Sequence, residues 1–205
     1  MKINTILAAL AVLSALGLAA VAAGCGDDDH GDHTGGGGGA NAAGNATDAA
    51  FVNDMVPHHE GAIEMARLAQ KEADKEEIRN LADGIIAAQE SEIATLRSVQ
   101  ADVGDAHGGA HMSGDEHMRG MDMDADELHG AKPFDREFID MMIPHHEGAV
   151  TMAKEELEKG ENPALRKLAE DLISAQSREI AQMREWREMW YGDGRGEMSH
   201  AGDHE

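Results

Sequence analysis

The segment Pro-His-His-Glu-Gly occurs twice in this chain, at Pro57 to Gly61 and at Pro144 to Gly148. Imidazole is the commonest metal-binding side chain and titrates near neutral pH. On a helix Met55 lies one turn before His58 and His59, and Met65 lies two turns after His58. Met142, His145, His146 and Met152 repeat that arrangement, so one helical face in each half can offer thioether sulfur and imidazole nitrogen together. Thioether with imidazole suits Cu(I) or Ag(I), while imidazole alone would also serve zinc, nickel or Cu(II). The mixture favours copper, with other soft or borderline metals as alternatives. A Met on a helical face is more often an adaptable core filler than a ligand, and that reading applies to Met55 and Met142. Two adjacent His beside a Pro, at equivalent places in both halves, are costly to explain as packing alone.

Gln89 and Glu92, with Gln176 and Glu179, fall on or near the apolar stripe of a downstream helix, where a carboxylate needs a partner. The free ring nitrogen of a ligating His is one such partner, and the contact would orient the imidazole. A buried hydrogen bond between helices is the equally weighted alternative. Between the halves, His107, His111, Met112, His117, Met118, Met121, Met123 and His129 form a tract suited to wrapping a soft ion rather than to preorganised catalysis.

The elements that must position these groups are helical. Aromatic residues make up only 3% of the chain, a composition that disfavours sheets. Two segments align without a gap at an offset of 87 residues, from Phe51 with Phe138 through Arg97 with Arg184, as a duplicated helix pair would. Apolar residues recur at helical spacing at Ile78, Leu81, Ile85 and Leu96, and again at Leu165, Leu168, Leu172 and Met183. Asp48 and Asp135 are expected to cap the first helix of each repeat, and Asp74 with Glu77 to open the second as a capping box. Gly160 can end a helix, and Asn162-Pro163 supplies a cap followed by Pro at the first helical position. Pro57 and Pro144 are expected to kink their helices, and Gly61 and Gly148 to permit close approach. The expected fold is all-α, an antiparallel four-helix bundle made of two duplicated hairpins.

The flanking chain reads differently. Lys2, the apolar run from Ile6 to Val21 and the small residues Ala22-Ala23-Gly24 form an export signal. Ala22-Ala23-Gly24-Cys25 resembles a bacterial lipobox, which implies lipidation of Cys25, membrane anchoring and a location outside the cytoplasm. Cys25 is the only cysteine, so the mature domain would hold no free thiol and could form no disulfide. The organisation is then a signal at 1–25, a polar tether at 26–47, a domain at 48–191 and an acidic His-containing tail at 192–205. Within the domain, repeat 1 spans 48–103, the His/Met-rich linker 104–126 and repeat 2 127–191. The net charge of −23 argues against a phosphate-binding surface, and no nucleic-acid partner is expected.

The two Phe-x-x-x-Met-[Val/Ile]-Pro-His-His-Glu-Gly-Ala blocks, the Gln-x-x-Glu-Ile segments after them and Gly120-Met121-Asp122-Met123 before the second block resemble the DUF305 family, which includes CopM-type copper-binding proteins. The resemblance covers residues 48 to 190. It implies a ferritin-like helical fold, copper or silver binding outside the cytoplasm in support of metal tolerance, and ligands at His58, His59, Met65, His145, His146 and Met152 with the linker residues as auxiliaries. A lipid-anchored copper binder that sequesters the ion or hands it to a partner protein, with no reaction of its own, is the expectation. A di-iron oxidoreductase is the alternative from another class, weakened because no Glu-x-x-His motif occurs inside these helices. A cell-surface interaction module with structural histidines is the third reading.

Overall fold

The computed structural model describes residues 44–103 and 125–192, which form four long helices and one short 3-10 turn. Helix α1 runs Ala46–Glu72, α2 Glu76–Val103, α3 Phe134–Lys159 and α4 Pro163–Tyr191. The 3-10 turn, Ala125–Leu128, precedes α3 and buries Leu128. No strand occurs among the described residues. Each repeat is a helical hairpin, α1 against α2 and α3 against α4, and α1 packed on α3 joins the two.

The core has two apolar layers. Met65, Ala66 and Ala69 of α1 meet Ile78, Ala82 and Ile85 of α2, Phe138 and Met142 of α3, and Met183 of α4. In the other layer, Phe51, Val52 and Met55 of α1 meet Leu96 and Val99 of α2, Met152 and Ala153 of α3, and Leu165, Ala169 and Leu172 of α4. The pairings Met55 with Met152 and Met65 with Met142 show that α1 and α3 run antiparallel. The duplicated His pairs therefore meet at mid-height, between the two layers.

Several helix ends depart from the sequence-based expectation. Asn45, not Asp48, caps α1: its side chain accepts from Thr47 N at 2.8 Å and Asp48 N at 3.1 Å. Asp48 sits one turn inside, where its carboxylate completes the capping box by accepting the Asn45 N–H. Helix α3 is preceded by Pro133 and has no side-chain cap, so Asp135 lies within its first turn. Both aspartates instead reach across the molecule. Asp48 accepts the backbone N–H groups of Glu161 and Asn162 in the α3–α4 turn, and Asp135 accepts those of Asp74 and Lys75 in the α1–α2 turn, at 2.8–3.1 Å. These turns correspond under the repeat offset, so each repeat's first helix fastens the other repeat's turn. Asp74 belongs to such a fastened turn, and α2 starts at Glu76. The expected cap of α4 is present, with Asn162 Oδ1 accepting from Ala164 N and Leu165 N and Pro163 at the first position. Gly160 ends α3 in extended geometry.

Helices α1 and α3 continue through Pro57 and Pro144 without a break. Helix α1 begins at Ala46, and the 3-10 turn takes in Ala125 and Asp126.

Candidate metal centre

His58 and His59 on α1 and His145 and His146 on α3 are all buried, at no more than 1% exposure. The first His of each pair faces its counterpart: the rings of His58 and His145 lie with centroids 3.8 Å apart and planes tilted by 44°. The second of each pair turns toward its own hairpin partner. His59 Nε2 lies 2.6 Å from Glu92 Oε2 on α2, and His146 Nε2 lies 2.7 Å from Glu179 Oε2 on α4. Consecutive helical residues point about 100° apart, which lets one dipeptide serve both neighbours. The four imidazoles span the bundle as one row, with 6.4 Å between the rings of His58 and His59 and 6.3 Å between those of His145 and His146.

A buried polar row between two apolar layers requires compensation. Among the described residues, the Nδ1 atoms of His59 and His146 and the Oε1 atoms of Gln89 and Gln176 find no hydrogen-bond partner. Burial, followed by the charges of His58, His146 and His59, holds the His145 imidazole well below its ordinary pKa. His145 is consequently neutral at pH 7, the form in which imidazole donates a lone pair to a metal. Buried imidazoles with uncommitted polar atoms beside them fit a soft or borderline ion. Glu92 and Glu179 are in place to orient the outer rings, as the spacing of Gln-x-x-Glu suggested.

Met55, Met65, Met142 and Met152 are buried at 1% exposure or less, in the apolar layers above and below the histidines. The structure thus packs all four into the apolar layers that border the row. Among the described residues, no three or more His, Cys, Asp or Glu side chains converge on one point suitable for an ion. Cys25 and the linker residues His111, Met112, His117, Met118, Met121 and Met123 lie outside the described residues. His129 is described: it is exposed, and its Nδ1 lies 3.0 Å from Glu72 Oε1.

Sequence reasoning did not assign the Glu of the repeated motif. Glu60 pairs with Arg97 at 2.6 Å and Glu147 with Arg184 at 2.5 Å, bracing α1 to α2 and α3 to α4 on the outer surface. Both partners recur at the repeat offset, which was the available signal. Gly61 also has a specific neighbour. A Cβ placed there would lie 3.8 Å from His145 Nε2, so the glycine keeps space open beside that nitrogen.

Solved structures similar to this chain share its architecture. A solved structure described as CopM in the Cu(II)-bound form is 40% identical, with a TM-score of 0.62, over 70% of this chain and 97% of that one. The same protein in a form described as Cu(I)-bound gives 39% identity and a TM-score of 0.60 over 71% of this chain and 98% of that one. It has also been solved in Ag-bound forms. A DUF305 fragment from Deinococcus radiodurans is 25% identical, with a TM-score of 0.60, over 71% of this chain and 97% of that one. Among curated proteins, the uncharacterized protein L153 of Acanthamoeba polyphaga mimivirus is 39% identical over 49 residues, which are 24% of this chain and 32% of that protein. The match therefore spans about a third of that relative's length. The family model of DUF305, a domain of unknown function, matches residues 48–187, and with its duplicated hairpins and paired His-His segments the chain belongs to the DUF305 family.

Proposed function

We propose that this protein binds copper, as Cu(I) in preference and Ag(I) by the same chemistry, and that its two halves build one shared site. The facing rings of His58 and His145, 3.8 Å apart, carry this reading. An ion shared by the repeats would be held by His58 and His145, with the outer imidazoles His59 and His146, anchored by Glu92 and Glu179, flanking them in the row. Among the described residues, the lack of three converging His or carboxylate donors favours a soft ion content with few ligands over zinc or iron, which ask for a fuller set. The flexible thioethers of Met65, Met142, Met55 and Met152 border the row and can turn toward a soft ion that enters it. Structural similarity to CopM solved with Cu(I), Cu(II) and Ag supports the choice of metal.

The role is sequestration or delivery without a reaction of its own, outside the cytoplasm on a lipid anchor at Cys25. The export signal and the lipobox-like Ala22-Ala23-Gly24-Cys25 support this location. No helix among the described residues is long and apolar enough to cross a membrane.

Anaerobic titration of the domain with Cu(I) against a competing chelator tests the binding, with Ag(I), Zn(II) and Fe(II) in parallel. Tight Cu(I) binding that His58→Leu and His145→Leu each remove is the expected result. Equal affinity in those variants, or tighter binding of iron with oxygen consumption, would refute it. Retention of labelled fatty acid by the wild-type protein, and its loss in Cys25→Ser, tests the anchor.

A further inference from the structure

A second buried titratable pair lies at the end of the bundle, away from the histidine row. Asp48 on α1 and Glu156 on α3 are both fully buried. Asp48 is surrounded by donors: the backbone N–H groups of Asn45, Glu161 and Asn162 all point at its carboxylate. Glu156 has no such set of donors, and its carboxyl faces Asp48. Among the described residues the cation facing the pair is Arg166 of α4, whose Nη1 is engaged by the carbonyls of Leu157 and Gly160 at 2.7 and 3.0 Å. Lys159 of α3 is turned outward to Glu155.

Comparison of the two repeats shows that this pair was fitted into one end only. Under the repeat offset Glu156 corresponds to Ala69, and Gly160 corresponds to Ala73. A Cβ at Gly160 would overlap the Glu156 carboxyl, so the larger residue at one position is accommodated by the smaller at the other. The opposite clasp, Asp135 on Asp74 and Lys75, has alanine where Glu156 would stand.

We propose that Asp48 and Glu156 hold a single proton between them and form a pH-operated latch on the α3–α4 turn. While Glu156 is protonated its hydroxyl donates to Asp48, whose carboxylate keeps hold of the turn. When that proton leaves, two buried carboxylates face each other and repel, and the grip on Glu161 and Asn162 is lost. A bound cation is a poorer account, because three backbone N–H groups and the Glu156 hydroxyl together already fill the acceptor positions of the Asp48 carboxylate. The charge balance agrees. Burial first, then the hydrogen bond and charge of Asp48, push Glu156 up to about 8 against the opposing pull of Arg166. Burial acts most strongly on Asp48 as well, but the N–H groups around it and the Glu156 hydroxyl outweigh burial and keep its pKa below the usual value. Because the folded-state pKa of Glu156 is raised, the stability it confers is fully present below the ordinary carboxylate range. That stability declines as pH rises toward about 8.

The test follows amide hydrogen exchange at Glu161 and Asn162, corrected for intrinsic rates, from about pH 5 to about pH 9 in wild type and Glu156→Gln. Asp74 and Lys75 serve as the internal control. Wild type should lose about tenfold or more of its protection at Glu161 and Asn162 across that range, as a shift of a pKa unit or more requires. Glu156→Gln, a neutral isostere that can still donate to Asp48, should show a flat profile, as should the control turn. An infrared band of a protonated carboxylic acid at neutral pH, absent in Glu156→Gln, is the second expected readout. The same pH slope in both proteins, or no such band, would overturn the latch. Protection that magnesium or calcium adds and a chelator removes would overturn it too, by assigning the pair to a cation.

Discussion

His58 and His145, 87 residues apart in the chain, face each other across the repeat boundary with their rings 3.8 Å apart. Two imidazoles in an apolar surround are a poor way to build a core, because their nitrogens are removed from water. Replacing both partners of a buried polar contact by apolar groups of similar shape is often neutral or stabilising. The double variant His58→Leu/His145→Leu should therefore melt at the wild-type temperature or above it, while Cu(I) affinity collapses. Calorimetry of the metal-free protein and chelator competition read the two effects separately. A loss of several degrees in melting temperature would mean that the pair serves packing.

Glu92 and Glu179 act through His59 and His146. Glu92→Gln and Glu179→Gln should each lower Cu(I) affinity by about 10- to 100-fold, the usual effect of removing a carboxylate behind a ligating His. Their circular dichroism and unfolding midpoints should change little. Unchanged affinity in both variants would separate the outer imidazoles from the site.

Gly61 carries opposite expectations for stability and binding. Gly61→Ala should stabilise α1 by about 0.5–1 kcal/mol, since glycine is disfavoured inside a helix. The new methyl would stand 3.8 Å from His145 Nε2, an ordinary contact for the apo protein but an obstacle to an ion on that nitrogen. Cu(I) affinity should fall. Gly84→Ala is the control: nothing lies within 4 Å of its Cβ, so it should stabilise α2 without changing affinity.

At the bundle end, Gly160→Ala alone should destabilise by about 1–3 kcal/mol, as overpacking does. Glu156→Ala should relieve the overlap and recreate the Ala69/Ala73 pairing of the first repeat. A double-mutant cycle measured by urea unfolding should then show strong favourable coupling between the two alanines. Additive effects would mean that the two positions do not share space.

The outer pairs Glu60–Arg97 and Glu147–Arg184 are half exposed, and each should contribute only about 0–1 kcal/mol. Arg97→Ala and Arg184→Ala should leave unfolding midpoints almost unchanged and, if the motif's glutamates only brace the helices, leave Cu(I) affinity unchanged as well.

The repeat, the four helices and the placement of His-His inside two of them were legible from the sequence, because helical periodicity and a constant offset survive without any knowledge of partners. Asn162-Pro163 was legible for a similar reason, since its signal is local. Asp48 and Asp135 were not. An acidic residue near a helix start has the same local appearance whether it caps its own helix or holds a turn of the other repeat. The histidines show a related limit: their buried state follows from the apolar residues around them, but that the first of each pair faces the other repeat and the second faces a glutamate depends on how α1 crosses α3. Met55, Met65, Met142 and Met152 were marked as helical neighbours of the His, and tertiary packing placed them in the layers on either side.

The reciprocal clasps, Asp48 on the second turn and Asp135 on the first, bear on how the architecture could arise and be taken apart. A single ancestral hairpin would already carry both halves of that clasp and half of the histidine row, so two identical copies could associate as a symmetric homodimer before any gene fusion. In the present chain the described clasps and the facing histidines join residues from opposite sides of the 104–124 segment. Two separately expressed halves, cut within that segment, should accordingly complement one another, whereas either half on its own would leave its aspartate and the first histidine of its pair without a counterpart.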